Sequence, residues 1–167
     1  MRRAIGPDIP FIMRTERLEG YEELIDRWEE AQHRAALAES RYKYFVAEAD
    51  GRLVGFAILR DWASSEQTTL VQRVAVAEPG RGLGRAIMWA VVRAAFTETD
   101  VHRLWLGCFT DNLRAQRSYE AVGFVAEGVA RGSAFFRGKH CDELVLSLLR
   151  PEWEALVRRL AKSPRTP

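Results

Sequence analysis

The chain has 167 residues, enough for one ordinary domain whose core needs neither disulfides nor a structural metal. Its hydrophobic fraction of 47% and charged fraction of 29% exclude a disordered chain. With 25 Lys and Arg against 23 Asp and Glu, a formal charge of +2 gives no general pull toward nucleic acid or an anionic membrane, so neither is expected as a partner and phosphate binding has to be local.

Apolar runs such as Leu144-Val145-Leu146 are too short to cross a bilayer, and no apolar leader with a cleavage site opens the chain. A cytoplasmic protein is therefore expected. Cys108 and Cys141 lack metal-ligand spacing and read as inert strand residues, so no metal is expected.

From Glu19 to about Ser40, Tyr21, Leu24, Ile25, Trp28, Ala31 and Ala35 recur at helical spacing, which predicts one long amphipathic helix or two short ones. Tyr42 to Ala49 and Leu53 to Leu59 read as strands joined by Asp50-Gly51, a dipeptide suited to a tight hairpin. A third strand, about Thr68 to Ala77, sets Leu70, Gln72, Val74 and Val76 on one face against Val71, Arg73, Ala75 and Ala77 on the other. From Gly82, the residues Leu83, Ala86, Ile87, Ala90, Val91, Ala94 and Ala95 predict a helix, and Arg103 to Phe109 a buried strand.

That strand–helix–strand unit requires one parallel step in an otherwise antiparallel sheet. A short helix from about Asn112 to Val122, closed by Gly123, a hairpin near Gly138-Lys139 and a strand from Glu143 to Leu149 follow. A last helix begins near Pro151, and the polar tail 162–167 reads as loose. The expected fold is α+β: a mixed, mainly antiparallel sheet of six to seven strands flanked by helices, in a single domain with its core over about 11–153.

The most informative segment is Val74 to Ala86, a strand running through Pro79-Gly80-Arg81-Gly82-Leu83-Gly84 into a helix. Unpaired N–H groups of a first helical turn, together with the helix dipole, bind anions, and glycine lets backbone approach a phosphate. Arg85-Ala86 after Gly84 excludes a P-loop, which needs Lys followed by Ser or Thr. The spacing Gly80-x-Gly82-x-Gly84 is also not the dinucleotide fingerprint. A glycine-rich connection that merely permits tight packing is the competing reading.

The run from Arg73 to Ala86, followed by Asp111-Asn112-Leu113-Arg114-Ala115-Gln116-Arg117-Ser118-Tyr119-Glu120-Ala121-Val122-Gly123-Phe124, resembles the coenzyme A motifs of the GNAT N-acetyltransferase family in order and separation. The ending Asp142-Glu143-Leu144-Val145-Leu146-Ser147-Leu148-Leu149 with Pro151-Glu152-Trp153 is similar, more narrowly, to the branch that includes ribosomal-protein N-terminal acetyltransferases. The resemblance covers roughly Tyr44 to Trp153. It departs at Pro79, where the family usually has Gln or Arg.

The resemblance implies direct transfer of an acetyl group from acetyl-CoA to an amine, either a protein or peptide N-terminus or a small molecule. The backbone of Val74, Ala75 and Val76 would pair with the pantetheine arm, and the turn Gly80, Arg81, Gly82, Leu83, Gly84 and Arg85 would hold the pyrophosphate. Asn112 would contact the cofactor, a role that competes with simple helix capping. Tyr119 stands where many members carry a tyrosine that protonates the departing thiolate, although Ala115, Tyr119 and Val122 also form a packing stripe. Arg114 and Arg117 are further candidates for the phosphates.

Trp62 and Glu66, in the loop before the cofactor strand, are assigned to acceptor contact. Relatives often carry a carboxylate on the strand matching Leu70 to Val76, and this chain has none there, which leaves the general base unassigned. An α-amino group, with a pKa of about 8, needs less help to lose its proton than a lysine side chain near about 10.4. His33, His102 and His140 read as surface or hydrogen-bonded structural residues. Family members are often dimers, so a homodimer is the assembly implied. The alternative function is a non-catalytic acyl-CoA-binding regulatory module.

Overall fold

The computed structural model of the protein describes residues 1–162. The tail expected to be loose lies outside them except for Lys162, which ends the last helix.

One sheet of seven strands organises the molecule: β1 (Arg2–Arg3), β2 (Tyr42–Ala49), β3 (Arg52–Arg60), β4 (Thr68–Val76), β5 (Arg103–Phe109), β6 (Val125–Phe136) and β7 (Lys139–Leu149), in the order β1-β2-β3-β4-β5-β7-β6. Every neighbouring pair is antiparallel except β4 and β5. The helices are α1 (Ile9–Glu16), α2 (Glu30–Ala38), α3 (Leu83–Glu98), α4 (Leu113–Glu120) and α5 (Arg150–Lys162). This is the mixed α+β architecture expected, with α3 as the crossover of the parallel step. Asp50 and Gly51 both take positive φ in the β2–β3 turn.

The N-terminal segment differs from the periodicity-based reading. Residues 17–29 form irregular turns, and within the stretch predicted to be helical only Glu30–Ala38 is so. Gly20 has φ +85°, outside helical values, and α2 starts afresh where the Glu29 N–H donates to Gln32 Oε1 at 2.8 Å. The apolar residues Tyr21, Ile25 and Trp28 are directed inward by packing on the sheet rather than by a helical face. Ordered packing also begins before position 11, because β1 pairs with β2 and Ile9 and Ile12 are fully buried.

Two cores lie on the two faces of the sheet. On one, Ile87, Met88, Val91, Val92 and Ala95 of α3 pack against Leu59, Val71, Leu104, Leu106, Leu146 and Leu148. On the other, Ile12 and Ala36 pack against Tyr44, Val46, Phe56, Ile58 and Ala75. Trp153 of α5 stacks on Phe96 of α3 with ring centroids 5.1 Å apart, which ties the last helix to the crossover helix.

The second face also holds a buried ionic group. Arg73 Nη1 donates to Glu16 Oε1 at 2.5 Å, His33 bridges Glu16 Oε2 and the Tyr44 hydroxyl at 3.2 Å each, and the Arg73 guanidinium lies 4.8 Å from the Trp28 ring centre. Glu16 and His33 are completely buried. Such charges persist inside a protein only when paired and hydrogen-bonded, as these are. His33 is thus a structural, hydrogen-bonded histidine.

Candidate active site

Strand β4 changes character along its length. Its parallel pairing with β5 covers only Thr68, Thr69 and Leu70, opposite Arg103, Leu104 and Trp105, and beyond that the two strands part. Its antiparallel register with β3 slips at the same level: Ile58 faces Arg73 and Leu59 faces Val71, which leaves Gln72 as a bulge. The bulge resets the alternation expected from sequence. Val71 joins Val74 and Val76 on the α3 face, whereas Arg73 and Ala75 turn to the other. The extra residue in a strand that continues on both sides carried no turn signal in the sequence.

Past the bulge, one edge of β4 is open. The Ala77 N–H donates to the Val54 carbonyl at 2.8 Å across the Gly55–Val76 pair, so the N–H and C=O of Val76 point away from β3, into the gap left by β5. Val74 shares that edge by alternation. Ala75 does not, since its polar groups face Phe56 of β3, so only two of the three residues expected to offer backbone to an extended arm can do so. The Val76 groups are held by the Tyr21 hydroxyl, which accepts from the N–H and donates to the C=O at 3.0 Å each.

The glycine-rich turn stands at the end of this edge. Gly80 and Gly82 have φ of +91° and +72°, a region that side chains disfavour. The first intrahelical bond of α3 runs from the Ala86 N–H to the Gly82 carbonyl, which leaves the N–H groups of Leu83, Gly84 and Arg85 without intrahelical acceptors. A β-carbon built at Gly80, Gly82 or Gly84 would meet nothing within 4 Å. Tight packing is therefore not why glycine stands there; the turn is an uncovered helix N-terminus with room for an anion. These residues fit a pyrophosphate, and the open strand edge beside them fits an amide-bearing arm.

A cavity of about 680 Å³ joins the two features. Of the residues expected to bind cofactor, Val74, Ala75, Val76, Gly80, Gly82, Leu83, Gly84, Arg85 and Asn112 line it, as do Arg114 and Tyr119. Arg81 does not; its guanidinium points outward and pairs with Glu78 at 2.9 Å. Arg117 is likewise absent from the lining. Asn112 caps α4, accepting from the Ala115 N–H at 3.2 Å, so the capping role is present and the residue also faces the cavity.

The Tyr119 hydroxyl makes no hydrogen bond among the described residues. Burial, with smaller effects from Cys108 and Tyr21, pushes its pKa well above the usual phenol value, so it stays a proton donor at neutral pH. Cys108 also borders the cavity, and burial raises its thiol to about 11, with Glu143 and Asp111 adding to the shift. It remains protonated and unreactive.

Trp62 and Glu66 are not among the cavity residues. Trp62 packs edge-on against Phe45, with the Arg3 guanidinium 4.7 Å from its ring centre, and its backbone N–H donates to the Arg41 carbonyl at 3.0 Å, which holds its main chain beside the start of β4. A loop preceding β4 in sequence lies by geometry at the strand's start, whereas the site lies at its end.

The wall of the cavity across from β4 is formed by residues the sequence did not single out. Tyr21, Leu24, Ile25 and Asp26 of the 17–29 turn, Phe135 and Phe136 of β6, and Glu143 of β7 all line the cavity. Glu143 accepts from the Ser133 hydroxyl at 2.8 Å, and its carboxylate lies so close over Gly107 that a β-carbon there would sit 2.6 Å from Oε1. A glycine inside an apolar strand marks such close approaches, and Gly107 was the one available sequence signal.

An uncovered helix N-terminus, an open strand edge and a half-buried phenol converge on one cavity, the arrangement of a coenzyme A-dependent acyltransferase. The profile of the acetyltransferase (GNAT) family matches residues 10–124. A probable N-acetyltransferase of Bacillus subtilis, YjcK, is 32% identical over 130 residues, 75% of this chain and 70% of its own. A putative ribosomal N-acetyltransferase of the same organism, YdaF, is 32% identical over 75 residues, 45% of this chain and 41% of its own. The Vibrio cholerae spermidine N-acetyltransferase in complex with CoA and spermine superposes with a TM-score of 0.80 at 20% identity, covering 92% of this chain and 96% of that one. The protein belongs to the GNAT acetyltransferase family and is an acetyl-CoA-dependent N-acetyltransferase.

Proposed function

We propose that the protein acetylates a small cationic amine, with Glu143 as the general base. One observation carries this reading: the Glu143 carboxylate lies over Gly107 of β5 and lines the same cavity as the open edge of β4, where the thioester would be held. It fills the vacancy left by the absence of a carboxylate on β4 itself. Asp26 and Glu143 put carboxylates on the acceptor side, where Arg73 and Arg60 of the same lining are paired with Glu16 and Asp61, and Tyr21, Phe135 and Phe136 give it aromatic faces, a combination suited to an ammonium group.

The thioester supplies the activated acyl group when acetyl-CoA is bound. The backbone of Val74 and Val76 and the N–H groups of Leu83, Gly84 and Arg85 fix its position, which is the larger part of catalysis in such a transfer. Arg85 adds positive charge beside the phosphates. The Glu143 carboxylate first takes a proton from the bound ammonium and passes it to solvent, which frees the nitrogen lone pair to attack the thioester carbonyl. As the C–S bond breaks, the nitrogen gives up its second proton and the leaving sulfur is protonated, with the Tyr119 hydroxyl as the hydrogen-bonding or proton-donating group.

The test is thiol release from acetyl-CoA across polyamines, aminoglycosides, short peptides with free N-termini, and lysine peptides with blocked N-termini. Polyamines or other small amines are expected to give the largest turnover. Preference for peptide N-termini would move the acceptor to the ribosomal-type class. With the best acceptor, Glu143→Gln is expected to lower kcat by about 10²–10⁴ while leaving the acetyl-CoA Kd unchanged; a kcat within twofold of wild type would remove Glu143 as the base.

A further inference from the structure

Val76 sits at the end of β4 and is 8% exposed, with both backbone polar groups turned into the gap that β5 has left. Buried N–H and C=O groups on a strand edge need partners. A hydroxyl can donate and accept at once, and the Tyr21 hydroxyl does both here, in the place a neighbouring strand would take. Tyr21 is itself 6% exposed, seated among the residues of the α1–α2 core, and its ring borders the cavity.

An amide-bearing arm lying along β4 would use the same two groups, its carbonyl accepting from the Val76 N–H and its N–H donating to the Val76 C=O. The Val76 N–H carries one proton and cannot make two good bonds. The arm and Tyr21 therefore exclude each other at this residue.

We infer that Tyr21 is a stopper that completes the Val76 edge in the free protein and is displaced when the cofactor binds, which couples cofactor occupancy to the acceptor-side loop. This rests on the reading that the cofactor arm pairs with β4. The exchange is nearly balanced, since two hydrogen bonds replace two. Its effect on the loop follows from the local geometry. The Tyr21 carbonyl accepts from the N–H groups of Leu24 and Ile25 at 3.0 Å each, so moving Tyr21 moves the turn that carries Leu24, Ile25 and Asp26 on the acceptor wall. The outer end of the same turn is held to the β6–β7 turn by the Glu23–Arg137 ion pair.

The test needs no acceptor and no turnover. CoA is titrated calorimetrically into the wild type and into Tyr21→Phe, which keeps the ring and loses the competing hydroxyl. The Phe variant is expected to bind CoA at least about fivefold more tightly, since it has neither of the two hydrogen bonds that the wild type gives up and one alone is worth about that factor. Unchanged or weaker binding by the variant, with the wild type binding normally, overturns the stopper. No binding by the wild type overturns the cofactor reading and the inference with it.

Amide hydrogen exchange is the second measurement, and it also covers a variant of altered stability. The Val76 amide is expected to be protected in the wild type with or without CoA. In Tyr21→Phe it should be protected only with CoA. The Leu24 and Ile25 amides of the wild type should exchange faster once CoA is present, and unchanged rates there would refute the coupling to the loop.

Discussion

Over Thr68–Leu70 strand β4 is zipped to β5, and over Val71–Val76 it is held by β3 alone. The two halves differ in how far their backbone hydrogen bonding is completed by the sheet. The first half is ordinary paired sheet. The second half has an open edge, a neighbouring helix N-terminus without intrahelical acceptors for its N–H groups, and a cavity between them. Binding sites of this kind arise where secondary structure leaves polar backbone unsatisfied but sheltered. The bulge at Gln72 is the device that separates the halves, because it shifts register and direction together.

The comparison is broken most severely at the glycine turn. Gly82→Glu places a side chain at φ +72° and a negative charge at the helix N-terminus. CoA affinity is expected to fall by more than about 100-fold in a variant that still folds, as read by calorimetry beside circular dichroism. Near-native affinity would place the phosphate site elsewhere.

The opposite face of β4 tests stability instead of binding. Glu16→Gln leaves the buried Arg73 without its carboxylate, and the expected loss is about 3–5 kcal/mol in urea unfolding at pH 7. Because Arg73 follows the bulge directly, this variant also reports whether the bulge depends on that pair.

Tyr119→Phe sharpens the chemistry inside the open half. It should lower kcat about tenfold or more, with the acetyl-CoA Kd unchanged and thermal stability within a few degrees of wild type. An unaltered kcat would make Tyr119 a packing residue alongside Ala115 and Val122.

The smallest expected effect lies beyond the closed half, where Arg103 and then Ser147 hold the Glu127 carboxyl down at about 2. A depressed folded-state pKa contributes stability above the ordinary carboxylate range, and that contribution is lost as pH falls from about 4.5 toward 2. Glu127 is exposed enough for solvent to screen it, so Glu127→Gln should cost only about 0.5–1 kcal/mol at pH 7. The difference should vanish near pH 2, as thermal melts across pH can show.

What could be read from sequence was local. The Asp50-Gly51 hairpin, the strand–helix–strand unit, the glycine turn and the Asn112 cap each follow from a few adjacent residues whose backbone preferences suffice. The family motifs lie in those same segments, which is why one wall of the cavity was legible. The 17–29 segment was misread because packing of Tyr21, Ile25 and Trp28 on the sheet reproduces helical spacing without a helix.

The wall of the cavity across from β4 was decided by tertiary structure alone. Glu143 reaches the site because β7 pairs with β5, which brings it over Gly107; Tyr21 and Asp26 arrive from more than a hundred residues away in the chain. Trp62 and Glu66 are close to β4 in sequence yet stand near its wrong end. A turn or a cap is an energy minimum of a short stretch, so the sequence by itself determined the cofactor cradle. The convergence of Tyr21, Asp26, Glu143 and Tyr119 depends on strand order and on the register set at Gln72, which only the assembled sheet supplies.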